Sequence, residues 1–70
     1  MTQNEALLKE LKARGTEGIT ALEALETIGT MRLAARVYDL RKQGHTITSH
    51  PFKMNWNDKE HVALYVLEDG

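Results

Sequence analysis

Two arginines one helical turn apart, Arg32 and Arg36, are the residues of this chain best suited to specific chemistry. A guanidinium group can donate two parallel hydrogen bonds to O6 and N7 of guanine, or it can grip a phosphate. Ala35 stands between them, and so small a side chain lets a backbone approach a groove floor closely. The alternative for Arg36 is an ion pair with Asp39 on a solvated helix face.

The element that carries both arginines is predicted to be a helix over residues 30–43. Thr30 stands at its N-cap position and Gly44 at its C′ position. Thr30 could also contact a phosphate, because helix N-termini bind anions, although a cap alone is the simpler reading. Three apolar residues at i, i+4 and i+7 predict the buried stripe: Leu33, Val37 and Leu40. The outward side then presents Arg32, Ala35, Asp39 and Lys42, with Arg36 at its edge.

The end of this helix has mixed roles. Lys42 points outward, and contact with a phosphate and no contact are both open. Arg41 lies near the apolar stripe by helical phase, so its stem is predicted to cover the core. Tyr38 and Tyr65 are interpreted as half-buried packing residues.

Charge is unevenly distributed along the 70 residues, although the net charge is only -1. Residues 31–53 hold five basic residues against Asp39 alone, whereas the flanking segments are acidic. A local basic patch is the electrostatic footprint of a nucleic-acid binder. The low total argues against strong non-specific binding, since phosphate neutralisation supplies most of that affinity.

Two shorter helices are predicted before this one. Thr2 and Glu5 form a capping-box pattern at the start of a helix that reaches Arg14 and ends at Gly15. Ile19 is predicted to be a buried, strand-like residue in the connection that follows.

The second helix begins with another capping-box pattern, Thr20 with Glu23. Gly29 and Thr30 separate it from the third helix, and so tight a joint is the sequence form of a helix-turn-helix. Its buried side is predicted to consist of Leu22, Leu25 and Ile28.

A β-hairpin is predicted after Gly44. Residues 45–49 favour a strand, residues 55–58 a turn and residues 61–67 a second strand. Pro51 must lie at a strand edge or a bulge, because proline cannot donate to a ladder. Trp56 at the turn could cover the hairpin, meet a partner or stack on a base. Four residues of this segment could contact a phosphate backbone or the minor groove: Lys53, Asn55, Asn57 and Lys59.

Three helices followed by a hairpin make an α+β winged helix-turn-helix. The run GITALEALETIGTMRLAARVYDLRKQGHTI resembles the small winged helix-turn-helix domains encoded by phages and prophages. The length of the chain predicts one domain over residues 1–70, with residues 68–70 frayed. The resemblance covers roughly residues 16–67. It further implies a transcriptional regulator or DNA-organising factor that binds double-stranded DNA in the cytoplasm of a bacterial host.

The alternative is a protein-interaction module on the same fold, such as an anti-repressor, a DNA mimic or an adaptor. Because one module makes few phosphate contacts, tight DNA binding is expected to need a homodimer or cooperative assembly.

Other chemistry has little support in the sequence. The three histidines lack metal-ligand spacing and there is no cysteine, so neither a metal site nor a disulfide is expected. No nucleophile stands beside a base, so we expect no enzyme, no small-molecule substrate and no cofactor. No apolar run approaches the ~18 residues of a membrane span, and the first ten residues do not resemble a signal peptide.

Overall fold

The computed structural model describes the backbone of residues 2–54 and 57–68, and the side chains of residues 2–52 and 62–68. Three α-helices are followed by one antiparallel two-stranded sheet, which confirms the predicted α+β fold. The elements in chain order are α1 (Gln3–Arg14), a 3₁₀ turn (Gly15–Glu17), α2 (Ala21–Thr27), α3 (Leu33–Lys42), β1 (Ile47–Met54) and β2 (Asn57–Leu67).

The core lies between α1, α3 and the start of the hairpin. Leu7 and Leu11 of α1 are fully buried, as the apolar pattern of the first helix requires. The predicted stripe of α3 is confirmed, since Leu33, Val37 and Leu40 are all buried. Ile47, Leu67 and Tyr65 of the hairpin belong to or pack against the same cluster. One face of α3 is therefore committed to the core.

Both early helices begin as their sequences predict. The Glu5 N–H donates to the Thr2 hydroxyl oxygen at the start of α1 (3.1 Å). The second capping box is complete, with the Glu23 N–H bonded to the Thr20 hydroxyl and the Glu23 carboxylate accepting from the Thr20 N–H. These caps fix where each helix starts and therefore its rotational phase.

The buried side of α2 differs from the prediction. Leu22 and Leu25 are exposed, whereas Ala24 is fully buried and Ile28 packs against the core. At roughly 100° per residue, a helix that buries Ala24 and Ile28 turns Leu22 to the opposite side. The capping box and the short length of α2 place the small residue Ala24 inward. The prediction relied on the largest side chains and therefore selected the wrong face.

The joint between α2 and α3 is longer than predicted. It runs from Ile28 to Arg32, and α3 begins at Leu33 rather than at Thr30. Thr30 is not the N-cap: its hydroxyl oxygen accepts from the Arg32 N–H two residues on (3.1 Å). A threonine hydroxyl makes this local turn as readily as a cap, so the residue type alone did not distinguish the two.

The C-terminal end of α3 agrees with the prediction. Gly44 has φ +104°, which glycine adopts at no steric cost. The Gly44 N–H bonds to the Arg41 carbonyl (3.1 Å) and the His45 N–H to the Leu40 carbonyl (3.2 Å). This pair of bonds is a Schellman motif.

The strands are longer than expected, and residues 57 and 58 belong to β2 rather than to a turn. Ile47 pairs with Leu67 and Pro51 with Ala63, while the register shifts between Lys53 and Met54. Residues 55 and 56 of the expected turn lie outside the described residues.

Pro51 lies at a ladder position that needs no N–H donor. The Glu68 N–H bonds to the Thr46 carbonyl (2.8 Å), which makes Thr46 and Glu68 a hydrogen-bonded pair. Bonded and non-bonded pairs alternate in an antiparallel ladder, so the position of Pro51 points away from β2. The predicted edge position is thus observed, although the bulge lies three residues later. Of residues 68–70, expected to fray, Glu68 makes this bond and the last two lie outside the described residues.

The segment before α2 is held against β2. Ile19, fully buried, exchanges both main-chain hydrogen bonds with Tyr65 (2.9 and 3.0 Å), which confirms the predicted strand-like residue. Gly18 has φ +67°, and a Cβ added there would lie 2.5 Å from the Tyr65 carbonyl oxygen and 2.9 Å from Cγ2 of Val66. Only glycine allows this close approach.

Candidate nucleic-acid interface

The outward face of α3 is the surface opposite its buried stripe. Tyr38 and Lys42 lie on this face, with Ala34 exposed and Ala35 half-buried beside them. Tyr38 is 59% exposed, so the interpretation of this residue as half-buried packing is wrong. It stands next to Val37 in the chain, and one residue step turns a helical side chain by roughly 100°, away from the core. Tyr65, by contrast, is half-buried and packs against the core.

Arg32 and Lys42 stand near the two ends of this face. Arg32 is exposed and occupies the N-cap position of α3, where it makes no side-chain cap. Lys42 is exposed in the last turn, and its Nζ lies 5.4 Å from the centre of the Tyr38 ring. That is a cation–π distance, so the ammonium group lies over an aromatic face that is open to solvent.

Arg36 is paired within α3 rather than free on its outward face. Its NH2 group lies 3.4 Å from Oδ2 of Asp39, the ion pair that was the alternative to a base contact. The same Asp39 oxygen accepts from Nδ2 of Asn4 in α1 (3.4 Å). The Nε atom of Arg36 is buried and lacks a hydrogen-bond partner. Arg36 is therefore held by Asp39, which also contacts Asn4 of α1, and its side chain is 31% exposed.

Arg41 joins α3 to the hairpin. Its Nε and NH2 groups donate to the Ile47 carbonyl oxygen (3.0 and 2.6 Å). Charge-assisted hydrogen bonds of this kind are stronger than neutral ones. The predicted structural role of Arg41 is confirmed, but it acts through its charged head rather than through the stem that was expected to cover the core. The contact fixes β1, and with it the hairpin, relative to α3.

Thr30 faces inward. Its side chain is 3% exposed, and its hydroxyl is engaged with the Arg32 N–H. The expected phosphate contact at this residue has no exposed hydroxyl group to support it.

A charge cluster fixes α2 to α1. Arg14 donates to the carboxylates of Glu10 and Glu23, with both distances 2.9 Å. Partial burial acts to raise the pKa of Glu23, but hydrogen bonds from the Thr20 N–H and from Arg14 outweigh it and lower that pKa below its ordinary value. For Arg14, desolvation is outweighed by its two carboxylate partners, which raise its pKa. The cluster lies away from the α3 face and is structural.

A family model described as the winged helix-turn-helix domain matches residues 2–70. The chain belongs to that family. A search of curated proteins and a search of solved structures each find no match. By their order in the chain, α2 and α3 correspond to the helix-turn-helix and the β1–β2 hairpin to the wing.

The predicted wing contacts fall mainly outside the described side chains. Asn55 is outside the described residues altogether, and of Lys53, Asn57 and Lys59 only the strand positions are described. Trp56 also lies outside the described residues. The wing contributes Phe52, which is 44% exposed, at the end of its described part.

The winged helix offers little for other chemistry in its described part. Within residues 2–52 and 62–68, no three histidine, aspartate or glutamate side chains cluster in a way that could hold a metal ion. A groove of about 340 Å³ lies between α1 and α3. None of the helices in the described part of the chain is long and apolar enough for a membrane span.

Proposed function

We propose that this winged helix-turn-helix domain binds double-stranded DNA, with α3 in the major groove. The observation that carries the proposal is that α3 has one buried face and one exposed face. Leu33, Val37 and Leu40 hold one face in the core, while Arg32 and Lys42 stand exposed near the two ends of the other. In helix-turn-helix folds the second helix enters the major groove and its N-terminal residues reach the bases.

Phosphate contacts would position the domain on the duplex. Arg32 and Lys42 are spaced along α3 to meet the backbone at either side of the groove. The exposed start of α3 has no side-chain cap, and free N–H groups at a helix start favour phosphate. The wing residues Lys53, Asn55, Asn57 and Lys59 would contact the flanking backbone. Thr30 is left out because its hydroxyl is buried, and Arg36 is assigned a secondary role.

The biological role would be that of a phage- or prophage-type transcriptional regulator or DNA-organising factor. This rests on the sequence resemblance and on the size of the domain. With a net charge of -1, one copy makes too few phosphate contacts for tight binding at physiological salt. Occupancy of a specific site would therefore require a homodimer or cooperative loading along the DNA.

The test is a titration of random duplex DNA at about 50 and about 200 mM salt. The variant Arg32→Ala with Lys42→Ala is compared with Lys9→Ala with Lys12→Ala, which removes two exposed positive charges from α1 instead. We expect salt-dependent binding by the wild type and by the α1 variant. The α3 variant should bind more weakly, and its log–log salt slope should be smaller by about 2, one unit for each lost phosphate contact.

Two results would contradict the proposal. One is the absence of binding by the wild type even at low salt. The other is an equal loss in both variants, because that would mean net charge, and not the α3 face, sets the affinity.

A protein-interaction module is the second candidate, favoured by exposed apolar side chains. Met31 is 86% exposed at the joint, and Leu22 and Leu25 are exposed on α2. Replacement of Leu22 and Leu25 by serine should leave the DNA titration unchanged under the first proposal. Under the second it should abolish binding to the partner, while the Arg32 and Lys42 substitutions matter little.

A further inference from the structure

An apolar strip runs along the outward face of α3 between its basic ends. It consists of Met31, Ala34, Ala35 and Tyr38, and we call it the α3 strip. Ala34, Ala35 and Tyr38 lie within α3, and Met31 lies in the joint, two residues before the first residue of the helix. Met31 and Tyr38 are the two most exposed large apolar side chains in the described part of the chain, at 86% and 59%. This is an unusual surface for a helix that only faces water.

Arginine is the residue that usually contacts guanine, and the arginine within the middle of this helix is held by other contacts. Arg36 is the arginine within α3 that the sequence places nearest its middle, yet its NH2 group is paired with Asp39 and its Nε is buried. Asp39 is itself held by Asn4. To reach O6 and N7 of a guanine, Arg36 would have to leave its ion pair with Asp39 and bring its buried Nε into solvent. The middle of the outward face therefore lacks a free guanidinium group.

What the α3 strip offers instead is small and apolar contact surface. In the major groove, each base pair presents a different pattern of chemical groups. Most of these groups are hydrogen-bond donors and acceptors, and the C5-methyl group of thymine is the apolar one. Alanine and aromatic side chains can make apolar contact with that methyl group. The charges favour DNA over an apolar protein partner here. Arg32 and Lys42 stand at the two ends of the strip, and the phosphates would lie at those two ends.

We propose that the α3 strip reads thymine methyl groups, so that the preferred sites are distinguished by thymines at the positions facing Met31, Ala34, Ala35 and Tyr38. Tyr38 is thereby a specificity-determining residue, with the Lys42 ammonium group over its ring. This inference rests on the proposed DNA binding and specifies how the same face selects a sequence.

The experiment replaces thymine by deoxyuridine, which removes the C5-methyl group and leaves the hydrogen-bonding edge unchanged. A preferred duplex is first selected from random sequences with the wild-type chain, and each thymine is then replaced in turn. Burying one methyl-sized group is worth about 0.8 kcal/mol, so binding should weaken about fourfold at each contacted thymine. Thymines in the flanks of the same duplex serve as the internal control.

The protein side is tested with Tyr38→Ala and Tyr38→Phe. In Tyr38→Ala, the effect of deoxyuridine should vanish at the position that faces residue 38, because the contact is already lost. Tyr38→Phe keeps the ring and should retain the effect. Leu25→Ala is the matched control, since Leu25 is an exposed apolar side chain on α2 away from the strip. Circular dichroism of each variant shows whether its fold is intact.

The outcomes separate this inference from the proposal beneath it. If the wild type binds duplex DNA with the expected salt dependence but no deoxyuridine replacement weakens it, thymine readout is wrong and DNA binding stands. If Tyr38→Ala leaves every DNA titration unchanged and instead weakens binding to a protein partner, the strip is a protein-docking surface and the inference is overturned. If no duplex binds at low salt, both the inference and the proposed function fall.

Discussion

Gly18 allows the segment before α2 to lie close against β2, and its replacement by alanine gives the sharpest test of the packing. The glycine has φ +67° and ψ -168°, a conformation that is strained for any residue with a side chain. A Cβ at this position would also meet the Tyr65 carbonyl oxygen at 2.5 Å and a Val66 methyl at 2.9 Å. The main-chain oxygen cannot move aside without breaking the pairing of Ile19 with Tyr65.

The magnitude has two parts. Backbone strain of this type costs about 1–3 kcal/mol, and forcing an extra carbon into a packed contact costs about another 1–3 kcal/mol. Gly18→Ala should therefore lower the free energy of unfolding by about 2–6 kcal/mol. A chain of this length has a total stability of only about 4–10 kcal/mol, at 0.05–0.15 kcal/mol per residue, so the variant could be largely unfolded at room temperature.

Gly15→Ala is a matched control within the same turn. Gly15 has φ +57° and ψ -127°, so alanine pays a similar backbone strain there. No atom outside its neighbours lies within 4 Å of its would-be Cβ, so there is no packing cost. The difference between the two variants isolates the contact with β2.

The assay is thermal and urea unfolding followed by circular dichroism. At about 2 kcal/mol of difference, the melting temperature of Gly18→Ala should lie about 8–16 °C below that of Gly15→Ala. Equal melting temperatures for the two variants would refute the reasoning, because they would mean that the segment before α2 is not held against β2 as described.

Three further predictions concern the charges and the cooperativity of the fold. Glu23→Gln should be less stable than the wild type at pH 7. Because the pKa of Glu23 is lowered in the folded state, the difference in stability should shrink as the pH falls below the ordinary carboxyl value of 4.5. Urea unfolding of both proteins at pH 3 to 7 measures this. Arg41→Ala should destabilise the chain by about 1–3 kcal/mol, since it leaves the Ile47 carbonyl without its charged donors, and an unchanged urea midpoint would contradict that role. We also propose that residues 1–70 form one domain, so thermal unfolding should be a single transition with coincident far-ultraviolet and fluorescence curves; two separated transitions would disprove it.

The spacing of apolar residues and the residues that cap helices were enough to predict most of the local structure. The spacing of Leu33, Val37 and Leu40 predicted the buried face of α3, because that period is a property of the helix itself. Gly44 predicted where α3 ends, because glycine alone adopts a positive φ at no steric cost. The order of helices and strands, which follows from such local signals, led to the winged helix-turn-helix assignment.

The errors came where two local arrangements are nearly equal in energy. The Thr30 hydroxyl can cap a helix or close a turn, and the chain uses the turn, which moves the start of α3 to Leu33. In α2, Leu22 and Leu25 offered an apolar face, but the contacts of Ala24 and Ile28 with the rest of the core decided which side is buried.

The sequence by itself determined the helices, the hairpin and the basic character of the middle of the chain, because these depend on residues close together in the chain. Only the tertiary structure decided which side chains are exposed on the outward face of α3. Asn4, more than thirty residues away, helps to hold Asp39 and through it Arg36, while Tyr38 is left exposed. Such contacts depend on how α1 packs against α3, and no local pattern encodes that packing.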